Sequence, residues 1–514
     1  MNLHWADVTV FVVFFAFVIG VSMFKSRKGK SGEDFFLAGR GLVWPLIGFS
    51  LIAANISTEQ FVGMSGQGAG SAGLAIASYE WMAAITLVIV ALFFLPKFLK
   101  AGIYTIPEYL EYRYTPAARG VMAAYLLIIY VAVSIAAVVY TGALALHTIF
   151  NVDLVQAVWL IGIIAAVYTT WGGLKAVAWA DLFQGSALIL GGILTLIVGL
   201  KAVGGVSSFL SVNADKLHVV MPSNHPVIPW TVLVIGLWIP NFYYWGLNQF
   251  ITQRTLAAKS LKQGQLGIIF AAFLKLLIPF IIIMPGIMSW QLFRDQLTAP
   301  GATTDQAYPL LIKNLVGPGL RGFILAAIAG AVISTLGSLL NSVATLLTMD
   351  IYKRHFKKDA DGKSLIRIGR WATLVFVVAV CLIAPQLGNP KFKGIFNYIQ
   401  EFQGFISPGI LAAFIFGLFI KKAPRAAGLV SLLLNAPIYG LLMWKGGNIA
   451  FLNRMAITFA ILIVVLTVMT LLKPLREPIV MPVQKGFDMT PAPSLKWLGP
   501  LVIGLTVALY IIFW

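Results

Sequence analysis

Between Ser50 and Met82 a segment apolar enough to cross a membrane is interrupted by Asn55, Ser57, Thr58, Glu59 and Gln60. Glycines follow at 63, 66, 68, 70 and 73, and Glu80 opens the next apolar run. A second apolar stretch, 228–250, contains LWIPNFYYWGLNQ, which sets Pro240 and Asn241 at membrane depth ahead of Tyr243, Tyr244, Trp245, Asn248 and Gln249. A third places Ser334, Ser338, Asn341, Thr345 and Thr348 at steps of four and three, on one helical face, with Thr335 beside Ser334 and Ala331 one turn earlier. Amides both donate and accept, so they suit ligands whose hydroxyls do both. Carbonyls freed where the backbone unwinds near Ala53 and Ile56, with the hydroxyls of Ser334 and Thr335, can ligate an alkali cation. The alternative for that face is close helix packing, with the hydroxyls bonded to their own backbone. Glu80 and Lys275 are ionisable groups at membrane depth, costly unless paired or lining water.

The elements that must hold these groups are membrane helices. Hydrophobic residues make up 59% of the chain and charged ones 11%, and the mean hydropathy is +0.90. Fourteen runs are long enough to cross about 30 Å of hydrocarbon: about 5–23, 41–64, 74–96, 120–149, 153–171, 178–200, 228–250, 264–290, 321–349, 371–388, 394–420, 426–444, 449–472 and 495–514. The first lacks a basic leading region and a small-residue cleavage site, so it reads as a retained helix. Unwound backbone at membrane depth survives only where protein buries it or it lines a cavity. The two broken spans are second and seventh in order, the spacing of two five-helix repeats of inverted topology, each opening with a discontinuous helix.

Charge excludes several function classes. The net charge of +19 would suit nucleic acid, but with the N-terminus outside, the loops that fall in the cytoplasm hold 27 of the 37 Lys and Arg and the opposite loops hold 7. That asymmetry is the positive-inside rule; it makes the partner a lipid bilayer rather than nucleic acid and puts both termini on the outer side. No nucleotide motif is present, the five histidines are scattered, and the lone Cys381 forms no intrachain disulfide.

The chain resembles the sodium/solute symporters, within the sodium–glucose cotransporter group. The blocks that carry the resemblance are SLIAANISTEQFVGMSG (50–66), GLAIASYEWM (73–82), GIYTIPEYLEYR (102–113), WGGLKAVAWADLFQ (171–184), NFYYWGLNQFITQRTLAAKS (241–260), FAAFLK (270–275), LNSVATLLTMDIYK (340–353) and YIQEFQGFISPGILA (398–412). It implies an all-α polytopic membrane protein with a LeuT-like core. An extra helix at 5–23 precedes repeats at 41–200 and 228–420, and three helices follow at 426–514. It implies a sodium-coupled symporter of a neutral hexose in the cell membrane, not an enzyme, working by alternating access. The rival readings are symport of a sialic acid, an amino acid or another solute, and a sugar sensor.

Sodium would be held by the carbonyls of Ala53, Ile56 and Ala331 and the hydroxyls of Ser334 and Thr335, with Asp181 near the ion's exit. A second sodium site would need a hydroxyl where Gly337 stands, so the resemblance implies one sodium per sugar. Gln60, Glu80, Asn241, Lys275 and Gln400 would bind the sugar and Tyr244 would stack on it as the inner gate. Met64, Tyr79 and Phe396 would close the outside. One departure bears on which hexose is preferred: the family serine one turn after the glutamate is Ala83 here. Nothing in the sequence sets an oligomeric state.

Overall fold

The computed structural model describes residues 4–26, 37–150, 152–388, 395–446 and 449–514. Among them the regular structure is helical, and the only extended pairings are two isolated bridges, Leu42 with Ala258 and Met221 with Pro229. Ten helices are long and apolar enough to cross a membrane, and the pair Ile395–Gln403 and Ser407–Phe419, bent by 43°, makes an eleventh if it is one span. The remaining expected runs fall on shorter apolar helices, Trp44–Asn55, Leu154–Val167 and Val232–Leu247.

Helix α1 (Trp5–Ser26) lies at the periphery, with Trp5, Val12 and Phe17 exposed as a lipid-facing helix requires. Helix α2 (Trp44–Asn55) starts behind Pro45 and ends where Ile56 turns extended (φ −81°, ψ 96°). The chain then re-enters a helical path through π-helical turns at Glu59–Met64 and a short helix at Ser65–Ala69. The interruption expected across the polar run is therefore confined to Ile56 and Ser57. Helix α3 (Ser78–Ile89) follows and carries Glu80 in its first turn.

Leu154–Ala202 (α4) is one helical element of 49 residues. At about 1.5 Å per residue it would measure ~74 Å if straight, twice the hydrocarbon thickness, and the two runs expected at 153–171 and 178–200 share it. The seventh expected span breaks later than the sequence indicates. Pro240 and Asn241 sit inside the short helix Trp238–Phe242, π-helical turns follow at Tyr243–Leu247, and the extended residue is Asn248 (φ −81°, ψ 119°). Helix α5 (Gln249–Leu256) completes this span.

Helix α6 (Leu261–Leu297) packs along α2 and α3, and α7 (Leu320–Thr345) packs along α4 and α2. The second span is thus held between two long helices. Arg254, counted among the loop charges in the sequence, is a fully buried residue of α5.

Candidate functional site

Where α2 ends, the backbone opens one wall of a cavity lined by residues of four separate segments. The second span contributes Asn55, Glu59, Gln60 and Met64, and the third contributes Tyr79 and Glu80. Pro240, Asn241, Tyr244 and Trp245 come from the seventh, and Phe396, Gln400 and Gln403 from the helix Ile395–Gln403. Gln60, Glu80, Asn241, Tyr244 and Gln400, expected at the sugar, therefore converge from four separate segments.

Lys275 does not line this cavity. Its fully buried ammonium sits behind the wall, hydrogen-bonded to the Glu80 carboxylate and to Asn55 Oδ1, 4.8 Å from the centre of the Trp245 ring. Proximity to a carboxylate, a carbonyl and a ring face stabilises an ammonium away from water. Asn55 uses its other end to donate to the Tyr244 hydroxyl at 3.0 Å. Gln60 accepts from the Ser57 N–H at 3.0 Å through Oε1, and Asn241 donates to the Leu237 carbonyl at 3.0 Å through Nδ2. The Gln60 amide nitrogen and the Asn241 carbonyl oxygen stay available to a ligand, as do the amides of Gln400 and Gln403. The wall thus offers a mixture of donors and acceptors, and among the described residues the one nearby cation, Lys275, is bound to Glu80.

The expected outer gate is shut. Met64 and Phe396 are fully buried, and the Tyr79 and Phe396 rings meet edge to face with centroids 5.0 Å apart. Gly63 makes this approach possible, because a Cβ there would lie 3.2 Å from Phe396 Cβ and 3.1 Å from Ile395. Tyr244, the expected inner gate, packs edge-on against Trp245 and Phe250 at 5.1 and 5.5 Å.

The expected ion ligands lie directly beneath. Thr335 donates towards the carbonyls of Ala54 and Ala53, at 3.1 and 3.4 Å, so the α7 hydroxyl reaches the last turn of α2. Ala331 is fully buried one turn earlier, and Ile56 is the residue at which the helix opens. Ser334 turns to the other side and donates to Asp181, which also accepts from Ser50 and, at 3.2 Å, from Arg254. Arg254 bonds Ser50 at 2.5 Å, Ser338 and the Phe250 carbonyl as well. Asp181 is thus a fully buried mid-helix group of α4. Neutral carbonyls and hydroxyls next to one buried carboxylate are a donor set suited to a hard monovalent cation.

Sequence reasoning missed Trp245, Gln403 and Arg254 as parts of this site. Gln403 could have been found, since it stands three residues after Gln400 on the same helix and faces the same way. Arg254 could not, because a basic residue at the edge of an apolar run reads as a loop charge. Ala83 is buried on α3, three residues beyond Glu80, and is not part of the cavity wall.

Three comparisons bear on this geometry. The family model of the sodium:solute symporters matches residues 35–434. A sodium/glucose cotransporter of Vibrio parahaemolyticus is 42% identical over 492 residues, covering 90% of both chains. Sodium/glucose cotransporter 1 of Ovis aries is 34% identical over 81% of this chain and 68% of its own. A solved structure described as the substrate-bound outward-open state of a Na+-coupled sialic acid symporter superposes with a TM-score of 0.83, at 24% identity, over 93% of this chain and all of the other; at that identity the likeness is one of fold.

Proposed function

The chain belongs to the sodium:solute symporter family, and on that premise we propose that it carries a neutral hexose of the galactose or glucose type inward with sodium, one ion per sugar. It is a multi-pass membrane protein and not an enzyme, with sodium as the coupling ion and cargo. The observation that carries the sugar reading is the cavity wall. Its amides, carboxylates and aromatic faces match a polyhydroxylated ring, and among the described residues its one neighbouring ammonium, Lys275, is bound to Glu80. That arrangement disfavours an anionic solute such as a sialic acid, which would want a free cation and meet two carboxylates instead.

In this reading Gln60, Glu80, Asn241 and Gln400 hold the hydroxyls and Tyr244 takes the ring face. Lys275 acts through Glu80 and Asn55 rather than by touching the sugar. Sodium takes the carbonyls of Ala53, Ile56 and Ala331 and the hydroxyls of Ser334 and Thr335, and leaves past Asp181. Asn55 lies in the chain between Ala53 and Ile56, and it bonds both Tyr244 and Lys275. A cation drawing the Ala53 and Ile56 carbonyls towards α7 therefore fixes the residue that positions the inner gate and the Glu80 pair. Loss of the ion frees Asn55, and with it Tyr244, which is how ion release would loosen the sugar. The two ligands share one hinge, so each raises the other's affinity by the same factor.

The same reading assigns fourteen crossings: an extra helix at 5–23, inverted repeats at 41–200 and 228–420, and three helices at 426–514, with both termini outside. A membrane potential of 100 mV contributes about 2.3 kcal/mol per charge and a tenfold sodium gradient about 1.4 kcal/mol. One sodium could then sustain roughly a few hundredfold accumulation of sugar. The test is uptake of labelled hexoses and of cyclic polyols by proteoliposomes, with and without an inward sodium gradient. Sodium-dependent uptake of a hexose is expected. Uptake indifferent to sodium, or confined to anionic solutes, would overturn the reading.

A further inference from the structure

One group of the cavity wall has no task in the hexose reading. Glu59 lines the cavity and is partly buried. Its backbone N–H donates to Ser57 Oγ at 3.1 Å, but among the described residues no hydrogen bond or ion pair reaches its carboxylate. The other carboxylate of the wall, Glu80, is paired with Lys275, whose second bond goes to Asn55. Among the described residues the wall and the ammonium behind it therefore hold two carboxylates against one cation, and Glu59 is the carboxylate that this cation does not contact. A carboxylate withdrawn from bulk water without a partner is unfavourable. A ligand that supplies the partner gains what the empty wall lacks. A sugar hydroxyl can do this with a single neutral donor, whereas an ammonium makes a charge-assisted bond roughly twice as strong.

We propose that Glu59 is a cation-accepting subsite of this cavity, so that the carrier takes protonated amino sugars at least as well as their neutral parents. The inference rests on the sugar reading and narrows its substrate class to neutral and cationic hexoses, with uronic acids excluded. Glu59 is thereby a specificity-determining residue: Gln60, next to it, supplies a neutral amide, and Glu59 alone supplies unshared charge.

The test compares three probes of one ring configuration as competitors of labelled parent hexose in proteoliposomes: the hexose, its 2-amino-2-deoxy derivative at a pH where the amine is protonated, and its uronate. In the wild type the amino sugar should compete as well as the parent or better, and the uronate should not compete. Glu59→Gln keeps the shape and an acceptor oxygen but removes the charge. It should weaken the amino sugar about five- to tenfold relative to the parent hexose and let the uronate begin to compete. Glu59→Asp keeps the charge and should preserve the amino-sugar preference, which separates loss of charge from general damage to the site. Equal effects of Glu59→Gln on all three probes, or a wild type that ignores the amino sugar, would overturn the proposal. If no hexose shows sodium-dependent uptake, the sugar reading itself has failed. Direct binding of the same probes to purified wild type and Glu59→Asp then still reads the charge at Glu59, and no preference for the cation in either would count against it.

Discussion

Replacing Lys275 by methionine removes an ammonium of similar length and leaves Glu80 buried against a thioether. Both partners are almost fully buried, with side-chain exposures of 0% and 4%, so water cannot take over the lost contact. Breaking a buried ion pair by removing one member costs about 3–5 kcal/mol, chiefly because the remaining charge is stranded. The Trp245 ring loses a cation–π contact as well, worth about 0.5–2 kcal/mol. Lys275→Met should therefore lower the midpoint of unfolding markedly in detergent and abolish uptake. The double variant Lys275→Met with Glu80→Gln leaves no charge behind and should recover more than half of the lost stability. It should not recover transport, because Glu80 is a wall group and Asn55 would have lost one of its two partners. The assay is unfolding of purified wild type, both single variants and the double, combined as a double-mutant cycle, with uptake measured in parallel. A Lys275→Met protein as stable as wild type, or a double variant no more stable than that single one, would refute the argument that the pair carries a compensated charge.

Thr335→Ala removes one neutral oxygen from a proposed set of five, and the apparent sodium affinity in uptake should fall roughly tenfold; unchanged sodium dependence would remove Thr335 from the site. A single cysteine at position 358, in a chain whose buried Cys381 has been replaced, should be labelled only from the inner face, and outer labelling would reverse the proposed topology. Because Ala83 lies outside the cavity wall, Ala83→Ser should leave the ranking of galactose against glucose unchanged in competition assays, and a changed ranking would mean that position 83 reaches the sugar. Burial alone would raise the Glu111 carboxyl, but its hydrogen bonds and ion pairs with Arg119 and Arg354, 2.8 and 2.6 Å away, hold it below the usual carboxylate range. A depressed value contributes stability above the unfolded pKa near 4.5 and loses it as pH falls through the folded value. Unfolding between pH 6 and 3 should thus show a steeper acid loss in wild type than in Glu111→Gln.

The amino-acid sequence alone determined that this is a helical membrane protein and that its second and seventh apolar runs are interrupted. Those properties follow from local physics: run length against bilayer thickness, and the cost of polar backbone in hydrocarbon. It also supplied Gln60, Glu80, Asn241, Tyr244 and Gln400, because polar side chains inside apolar runs are conspicuous. The tertiary structure decided what those side chains face. Lys275 stands behind the wall instead of in it, since a buried ammonium is most stable where a carboxylate, an amide and a ring face converge, and those come from three different spans. Arg254 moved from the count of loop charges into a buried cluster with Asp181, Ser50 and Ser338, a placement no neighbouring residue announces. The break of the seventh span lies at Asn248 and not at Pro240, and Asn248 is held there by Tyr130 from another helix. Partners from other spans, tens to hundreds of residues away in the chain, fix such positions, and a local pattern cannot encode them.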